Sequence, residues 1–256
     1  MIENYYTKEE YDLIQFQKAK WQSSGIAHMT RRSFMIRLMG GARGKRILDY
    51  GCGVGTLLRE LSEESSTICH GLDNNAMAIR IARKGMERRK NLRFLVGTAE
   101  KDGLPDHFYD AIVCMETLEH IEDEDGAISF FRRKLRKDGC VVLTVPSFTR
   151  ITEDPNHYRY YRREDLRKAF ERNGFRTCCV RSYGFPLLEA ALLIFMCIYN
   201  MRKKDEGKVG HYSYGGIKKF GIYHRLLPLL KLVLRFDELF GRTDLGFGVI
   251  GKFKLR

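Results

Sequence analysis

The stretch Arg46-Ile47-Leu48-Asp49-Tyr50-Gly51-Cys52-Gly53-Val54-Gly55-Thr56-Leu57-Leu58-Arg59-Glu60-Leu61 constrains the fold more than any other part of the chain. An aliphatic run ends in a carboxylate, passes through alternately spaced glycines and then takes up helical apolar spacing at Leu57, Leu58 and Leu61. That order reads as strand, tight turn and helix. Glycine serves where the backbone takes a positive φ or lies against a ligand with no Cβ between them, and a helix start offers unpaired N–H groups. A turn of this kind is suited to a small polar molecule.

From Lys45 onward strand and helix patterns alternate, which predicts βαβ units and a parallel sheet. The expected strands cover 46–50, 67–72, 92–96, 109–115, 140–145 and 175–180, with helices over 54–64, 76–89, 127–137 and 164–173. Asp138-Gly139 ends the third of these helices, Pro146 stops the fifth strand and Gly174 caps the fourth helix. Residues 246–254 alternate like a final strand. Upstream, 1–44 reads as one or two helices, with Phe34 and Leu38 on an apolar face, Arg31 and Arg37 opposite, and an end at Gly40-Gly41. This segment either packs on the core or uses Tyr5, Tyr6, Tyr11, Phe16 and Trp21 as a lid over the glycine turn. The run 185–199 is apolar but short of the ~20 residues that cross a bilayer, so it reads as a buried or interfacial helix. A basic loop and a second amphipathic helix over 226–239 follow. With no internal repeat, the expected division is a helical segment or lid over 1–44, a core over 45–181 plus 245–256, and a helical insertion over 182–244.

At 256 residues and 44% hydrophobic content the chain can bury one full core. Its seven cysteines show no C-x-x-C pairing, and several lie in apolar runs, which predicts reduced thiols and a cytoplasmic setting. The start lacks the basic and apolar regions of a secretory signal. A formal charge of +13 admits nucleic acid, anionic lipid or an acidic substrate as partner, without choosing among them.

A glycine turn after a first strand holds either the pyrophosphate of a dinucleotide or the amino-acid part of another adenosine cofactor. The dinucleotide fingerprint is G-x-G-x-x-G; here the spacing is Gly51-x-Gly53-x-Gly55, preceded by Asp49. A carboxylate at that place repels a pyrophosphate but receives an ammonium group. Asp73, at the end of the second strand, can accept hydrogen bonds from ribose hydroxyls.

These residues closely resemble the class I S-adenosylmethionine-dependent methyltransferases. The matching motifs are Leu48-Asp49-Tyr50-Gly51-Cys52-Gly53-Val54-Gly55, His70-Gly71-Leu72-Asp73, Gly97-Thr98-Ala99-Glu100, Phe108-Tyr109-Asp110-Ala111-Ile112-Val113-Cys114 and Leu135-Arg136-Lys137-Asp138-Gly139-Cys140. The resemblance implies an α/β, Rossmann-like, doubly wound seven-stranded sheet, order 3-2-1-4-5-7-6 with strand seven antiparallel; here a helical insertion between strands six and seven replaces the family's short hairpin. It also implies S-adenosylmethionine as cofactor, with Asp49, Gly51, Gly53 and Gly55 near the methionine moiety. Asp73 would then lie on the ribose and Thr98, Ala99 and Glu100 beside the adenine, with Asn74 and Met115 also among the cofactor-binding residues.

Methyl transfer to a hydroxyl needs an aligned acceptor and a group to take its proton. The residues after the fourth strand, Met115-Glu116-Thr117-Leu118-Glu119-His120-Ile121, offer such groups, and so does His157 further on. The segment resembles that of the ubiquinone-pathway O-methyltransferases. The pattern E-x-x-E-H is also similar to that of small-RNA 2′-O-methyltransferases, where such residues bind a divalent cation. The expected catalytic residues are therefore His120, His157 and Glu116, with Glu116, Glu119, His120 and His157 the ligand set if a metal is used; base or positioning use is the preferred reading. The expected function is O-methylation of a small or lipid-like acceptor, with an anionic membrane surface as a peripheral partner of the insertion. RNA methylation is the weaker alternative, since the arginines spread along helix faces and no RNA-binding module is visible. A non-catalytic cofactor-binding partner protein is the other.

Overall fold

The computed structural model describes residues 9, 25–147, 156–186, 241–246 and 248–256. A helix, α1 (Gly25–Met39), precedes the sheet. It is followed by β1 (Arg46–Tyr50), α2 (Thr56–Leu61), β2 (Ile68–Asp73), α3 (Ala76–Met86), β3 (Leu92–Val96) and β4 (Tyr109–Met115). After a 3₁₀ turn over Leu118–His120 come α4 (Glu124–Lys134), β5 (Leu135–Pro146), α5 (Arg163–Arg172), β6 (Phe175–Tyr183) and β7 (Gly248–Leu255). The strands form one sheet in the order β3-β2-β1-β4-β5-β7-β6, and β7 runs antiparallel between β5 and β6. This is the sheet expected from the resemblance.

Alternation along β1 sorts side chains to two layers. Leu48 and Tyr50 join Ile112, Val141, Leu143, Phe130, Phe131, Leu166 and Phe170 on the face covered by α4 and α5. Ile47 joins Val113, Val142, Leu57, Leu58, Ile79, Met35 and Met39 on the face covered by α1, α2 and α3. Both faces of the central strands are therefore dry, as a parallel sheet requires. The C-terminal ends of the parallel strands gather on one edge, the usual place for a ligand in an open α/β sheet.

Two local expectations are corrected. The helix placed over 127–137 runs instead over Glu124–Lys134, and β5 starts at Leu135. Leu135 pairs with Tyr109 ahead of a register shift, and a Cβ on Gly139 would lie 2.8 Å from the Tyr109 carbonyl. The charged run at 135–138 has helix-like composition, yet pairing with β4 through this irregularity wins. On α1, the buried residues are Met35 and Met39, with Phe34 and Leu38 partly covered. Arg31, expected on the solvent face, has a side chain only 13% exposed because it pairs with Glu116. The end of α1 is held by Lys45 Nζ, which donates to the carbonyls of Met39, Gly40 and Gly41 at 2.7, 2.8 and 2.8 Å. Lys252 Nζ adds a bond to Leu38 O at 2.6 Å.

The segments 1–8, 10–24, 185–199 and 226–239 fall wholly or largely outside the described residues, so the aromatic lid and the insertion helices do too. No helix among the described residues is long and apolar enough to cross a membrane. The six described cysteines are free, with Cys52, Cys69, Cys114 and Cys140 buried.

Candidate active site

The glycine turn is built as the sequence suggests. Gly51, Gly53 and Gly55 have φ of 76°, 53° and 74°, a region L side chains rarely adopt. Gly51 N–H donates to Leu72 O at 2.8 Å, and Gly53 N–H donates to Asp73 Oδ2 at 2.8 Å. Asp73 Oδ1 accepts from Asn75 N–H at 2.8 Å, and Asn75 in turn caps α3 by accepting from the N–H groups of Met77 and Ala78. Asp73 thus ties β2 to the turn while each of its oxygens retains a further lone pair for a hydroxyl. Asn74 beside it is exposed. Asn75 was not among the expected site residues, although an Asn before an apolar helix is a capping signal.

Asp49 is 3% exposed. Burial first, and then the nearby Asp73 carboxylate, push its carboxyl up to about 8. Among the described residues nothing donates to it or pairs with it, and a ligand ammonium would supply the missing positive charge. That charge balance, with a turn whose glycines keep Cβ atoms out, fits the methionine end of S-adenosylmethionine.

The loop after β3 carries Thr98, Ala99 and Glu100. The Thr98 hydroxyl donates to Glu100, and this bond holds the Glu100 carboxyl below its ordinary range. The loop is fixed from below by Lys134, buried on α4, whose Nζ meets Asp102 and Asp106 at 2.7 Å each and Leu104 O at 2.7 Å. Arg133 adds a bond to Ala99 O at 3.3 Å.

The second half of the site follows β4 and abuts the first. A Cβ on Gly51 would lie 2.2 Å from Thr117 Cγ2, so the loop after β4 packs directly on the turn. Met115 and Glu116 are half-buried there, and Glu119 is 1% exposed. Segment 156–162 is laid over this loop. Tyr158 N–H donates to Glu119 O at 2.9 Å, and the Arg159 guanidinium reaches the carbonyls of Ile121 and Glu122 at 2.5 and 2.6 Å. These bonds bring His157 to His120, with ring centroids 4.6 Å apart and edge to face. His120 Nδ1 lies 3.1 Å from Asn156 O. A carbonyl only accepts, so Nδ1 carries the hydrogen and Nε2 is the lone-pair nitrogen of the neutral ring. One ligand atom from each of Glu119, His120 and His157 lies within 4.8 Å of the others. Glu116 is not in that group. Its carboxylate meets Arg31 Nη1 at 3.4 Å and accepts from the Tyr183 hydroxyl at 3.3 Å. Arg31, Tyr183 and Arg159 had no local signal, because their partners are distant in sequence.

Comparisons with known proteins agree with this fold. Residues 27–180 match the family described as Methyltransferase domain. The ubiquinone biosynthesis O-methyltransferase of Alkalilimnicola ehrlichii is 28% identical over 132 residues, 51% of this chain and 51% of that protein. The protein of the same name from a Shewanella species is 35% identical over 118 residues, 45% of this chain and 49% of that one. The chain spans about half the length of these curated relatives. Among solved structures, Haemonchus contortus phosphoethanolamine N-methyltransferase 2 in complex with S-adenosylmethionine gives a TM-score of 0.61 at 19% identity, covering 88% of this chain and 52% of that one. A Haloferax volcanii putative methyltransferase, in complex with the Trm112 activator, gives 0.59 at 16% identity, covering 95% and 96%. At such identities the likeness is one of fold. With the family match running over more than half of the sequence, and the sheet order and glycine turn in agreement, the chain belongs to the methyltransferase-domain family, in its class I, S-adenosylmethionine-dependent group.

Proposed function

We propose that the protein transfers a methyl group from S-adenosylmethionine to a hydroxyl oxygen of a small or lipid-like acceptor. The observation that carries this reading is the direct packing of the glycine turn on the loop bearing Glu119 and His120. When bound, S-adenosylmethionine supplies an electrophilic methyl on a sulfonium sulfur. Asp49 receives the ammonium group, Asp73 with Asn74 accepts the ribose hydroxyls, and Thr98, Ala99 and Glu100 border the adenine. Met115, half-buried at the end of β4, is the remaining residue assigned to the cofactor. His120, its Nδ1–H fixed by Asn156, takes the hydroxyl proton at Nε2, and Glu119 and His157 orient and polarise it. The relatives named as O-methyltransferases support oxygen as the target atom.

A second reading has a specific observation behind it: a divalent cation on Glu119, His120 and His157, whose ligand atoms lie within 4.8 Å of one another. A cation there would lower the pKa of a bound hydroxyl instead of leaving His120 to take the proton. Turnover that survives EDTA unchanged supports the first reading; loss with recovery on added divalent ion supports the second.

The net charge of +13 is compatible with an acceptor presented at an anionic lipid surface, and equally with a nucleic acid or an acidic substrate. Incubation of cell extract with methyl-labelled S-adenosylmethionine tests the whole proposal. Label is expected in the lipid or small-molecule fraction, and label confined to RNA, or to no fraction, would overturn it. Co-sedimentation with anionic vesicles at low salt is the expected companion result.

A further inference from the structure

Two side chains distant in sequence, Arg31 and Tyr183, meet on the Glu116 carboxylate. Glu116 has φ of 51°, a left-handed conformation unusual for a residue with a side chain. Its Oε2 faces Arg31 of α1, and its Oε1 accepts from Tyr183 at the end of β6. Tyr183 is 4% exposed, and its ring lies across β7 where a Cβ on Gly248 would be 2.3 Å from its hydroxyl. The glycine at 248 therefore clears the path that lets the Tyr183 hydroxyl reach Glu116.

The charges of the group are fixed. Burial works against the Arg31 cation, but Glu116, then Tyr183, outweigh it, and the guanidinium pKa is raised. Burial foremost pushes the Tyr183 hydroxyl well up, against the pull of Arg31, so it stays a neutral donor. Both sides of the clamp are anchored. Lys45 and Lys252 pin the C-terminal end of α1, the helix that carries Arg31 about two turns upstream, and Tyr183 sits in the β6–β7 ladder opposite Gly248.

We infer that Arg31 and Tyr183 are positioning residues for the acceptor half: by clamping Glu116 they hold the loop over 115–121, and with it Glu119 and His120, against the glycine turn. Glu116 is engaged with both partners and stands apart from the Glu119–His120–His157 group, so it acts as the anchor of the loop and not as its proton acceptor. The backbone route is short. Glu116 N–H donates to Thr144 O at 2.9 Å, His120 N–H to Thr117 O at 3.0 Å and Ile121 N–H to Leu118 O at 3.2 Å.

The consequence for turnover rests on the proposed function, whereas hydrogen exchange tests the clamp without it. In Arg31→Met the amides of Glu116, His120 and Ile121 are expected to exchange about tenfold or more faster, with β1 and β4 amides unchanged. Arg31→Lys should give a smaller effect. The pair Arg31→Met with Glu116→Gln should recover part of the loss, because the carboxylate that Arg31 contacts is then neutral too, while the buried Glu119, whose charge also acts on Arg31, keeps its own. In turnover, Arg31→Met is expected to lower kcat by about tenfold or more with the KM for S-adenosylmethionine little changed, and the double variant to regain activity. Exchange equal to wild type at the three amides, or faster exchange spread evenly over the sheet, would overturn the inference. Absence of S-adenosylhomocysteine binding in the wild type would instead defeat the proposed function, leaving the exchange result to decide this point.

Discussion

Around the glycine turn the polar contacts run from backbone N–H to carboxylate: Gly53 and Asn75 both donate to Asp73, and the residues come from the ends of β1 and β2. In the half that follows β4 the decisive contacts join side chains from α1, β6 and segment 156–162, as in Arg31 with Glu116, Tyr183 with Glu116, and His157 with His120. The two halves touch at Gly51 and Thr117. A site made of backbone is sensitive to any added Cβ and indifferent to many side-chain changes. A site made of side chains has the opposite sensitivities, and substitutions can separate the two.

The largest effect is expected at the contact itself. Gly51→Ala places a Cβ 2.2 Å from Thr117 Cγ2 on a backbone with φ of 76°. Overpacking and strain together should lower the unfolding free energy by roughly 3–5 kcal/mol and abolish cofactor binding. Gly41 is the control. Its φ is 75°, but nothing lies within 4 Å of a Cβ there, so Gly41→Ala should cost only about 1–2 kcal/mol. Equal losses in urea unfolding of the two variants would show that the Gly51–Thr117 contact does not matter.

Substitutions confined to the acceptor half should leave the donor half intact. His120→Ala and Glu119→Gln are expected to reduce turnover by about 10²–10⁴-fold while S-adenosylhomocysteine affinity stays within a few-fold. Calorimetry alongside steady-state kinetics checks both quantities on one preparation. A parallel loss of affinity would mean that the halves are one unit.

This contrast also explains what could be read from the sequence. Donor-half residues lie in short contiguous motifs whose spacing reports strand, turn and helix directly, so the expected strands over 46–50, 92–96 and 109–115 coincide with the observed ones. The glycines and Asp49 could be named for the same reason. The acceptor half is defined by contacts across the fold. Arg31 has the local pattern of a solvent-facing arginine, and only a partner on another element turns it inward. Likewise the 135–138 run has helix-like composition, and its strand state is set by β4. The motif alone leaves the meeting of His157 with His120 open; the hydrogen bonds of Tyr158 and Arg159 are what produce it.

Asp49→Asn sharpens the donor half alone. It keeps shape and removes the charge proposed to meet the ammonium, so S-adenosylhomocysteine affinity should fall roughly 10- to 100-fold. The acceptor cluster should keep its geometry, with the amides of Glu116, His120 and Ile121 exchanging as in wild type. Affinity unchanged in this variant would remove Asp49 from the cofactor site.

The smallest expected effect per step is the pH dependence of binding, and its sign follows from Asp49. In the ligand-free protein its carboxyl is raised from 3.8 to about 8, by burial and then by Asp73. Below about 8 the group is mostly protonated, and an ammonium ligand needs the ionised form, so binding must expel a proton. Affinity should therefore rise with pH by up to about tenfold per unit between 6 and 8. For folding the same shift has the opposite sign. A raised folded-state pKa contributes stability that is fully present below the unfolded value near 3.8 and is lost as pH rises through about 8. The free protein should lose this contribution as pH rises over that window, and the stabilisation conferred by S-adenosylhomocysteine should grow over the upper part of it. Calorimetric titration in two buffers of different ionisation enthalpy at pH 6.5 should show close to one proton released in wild type, and none in Asp49→Asn. Proton release of the same size in both would assign the linkage to another group and leave the buried carboxylate without a role in binding.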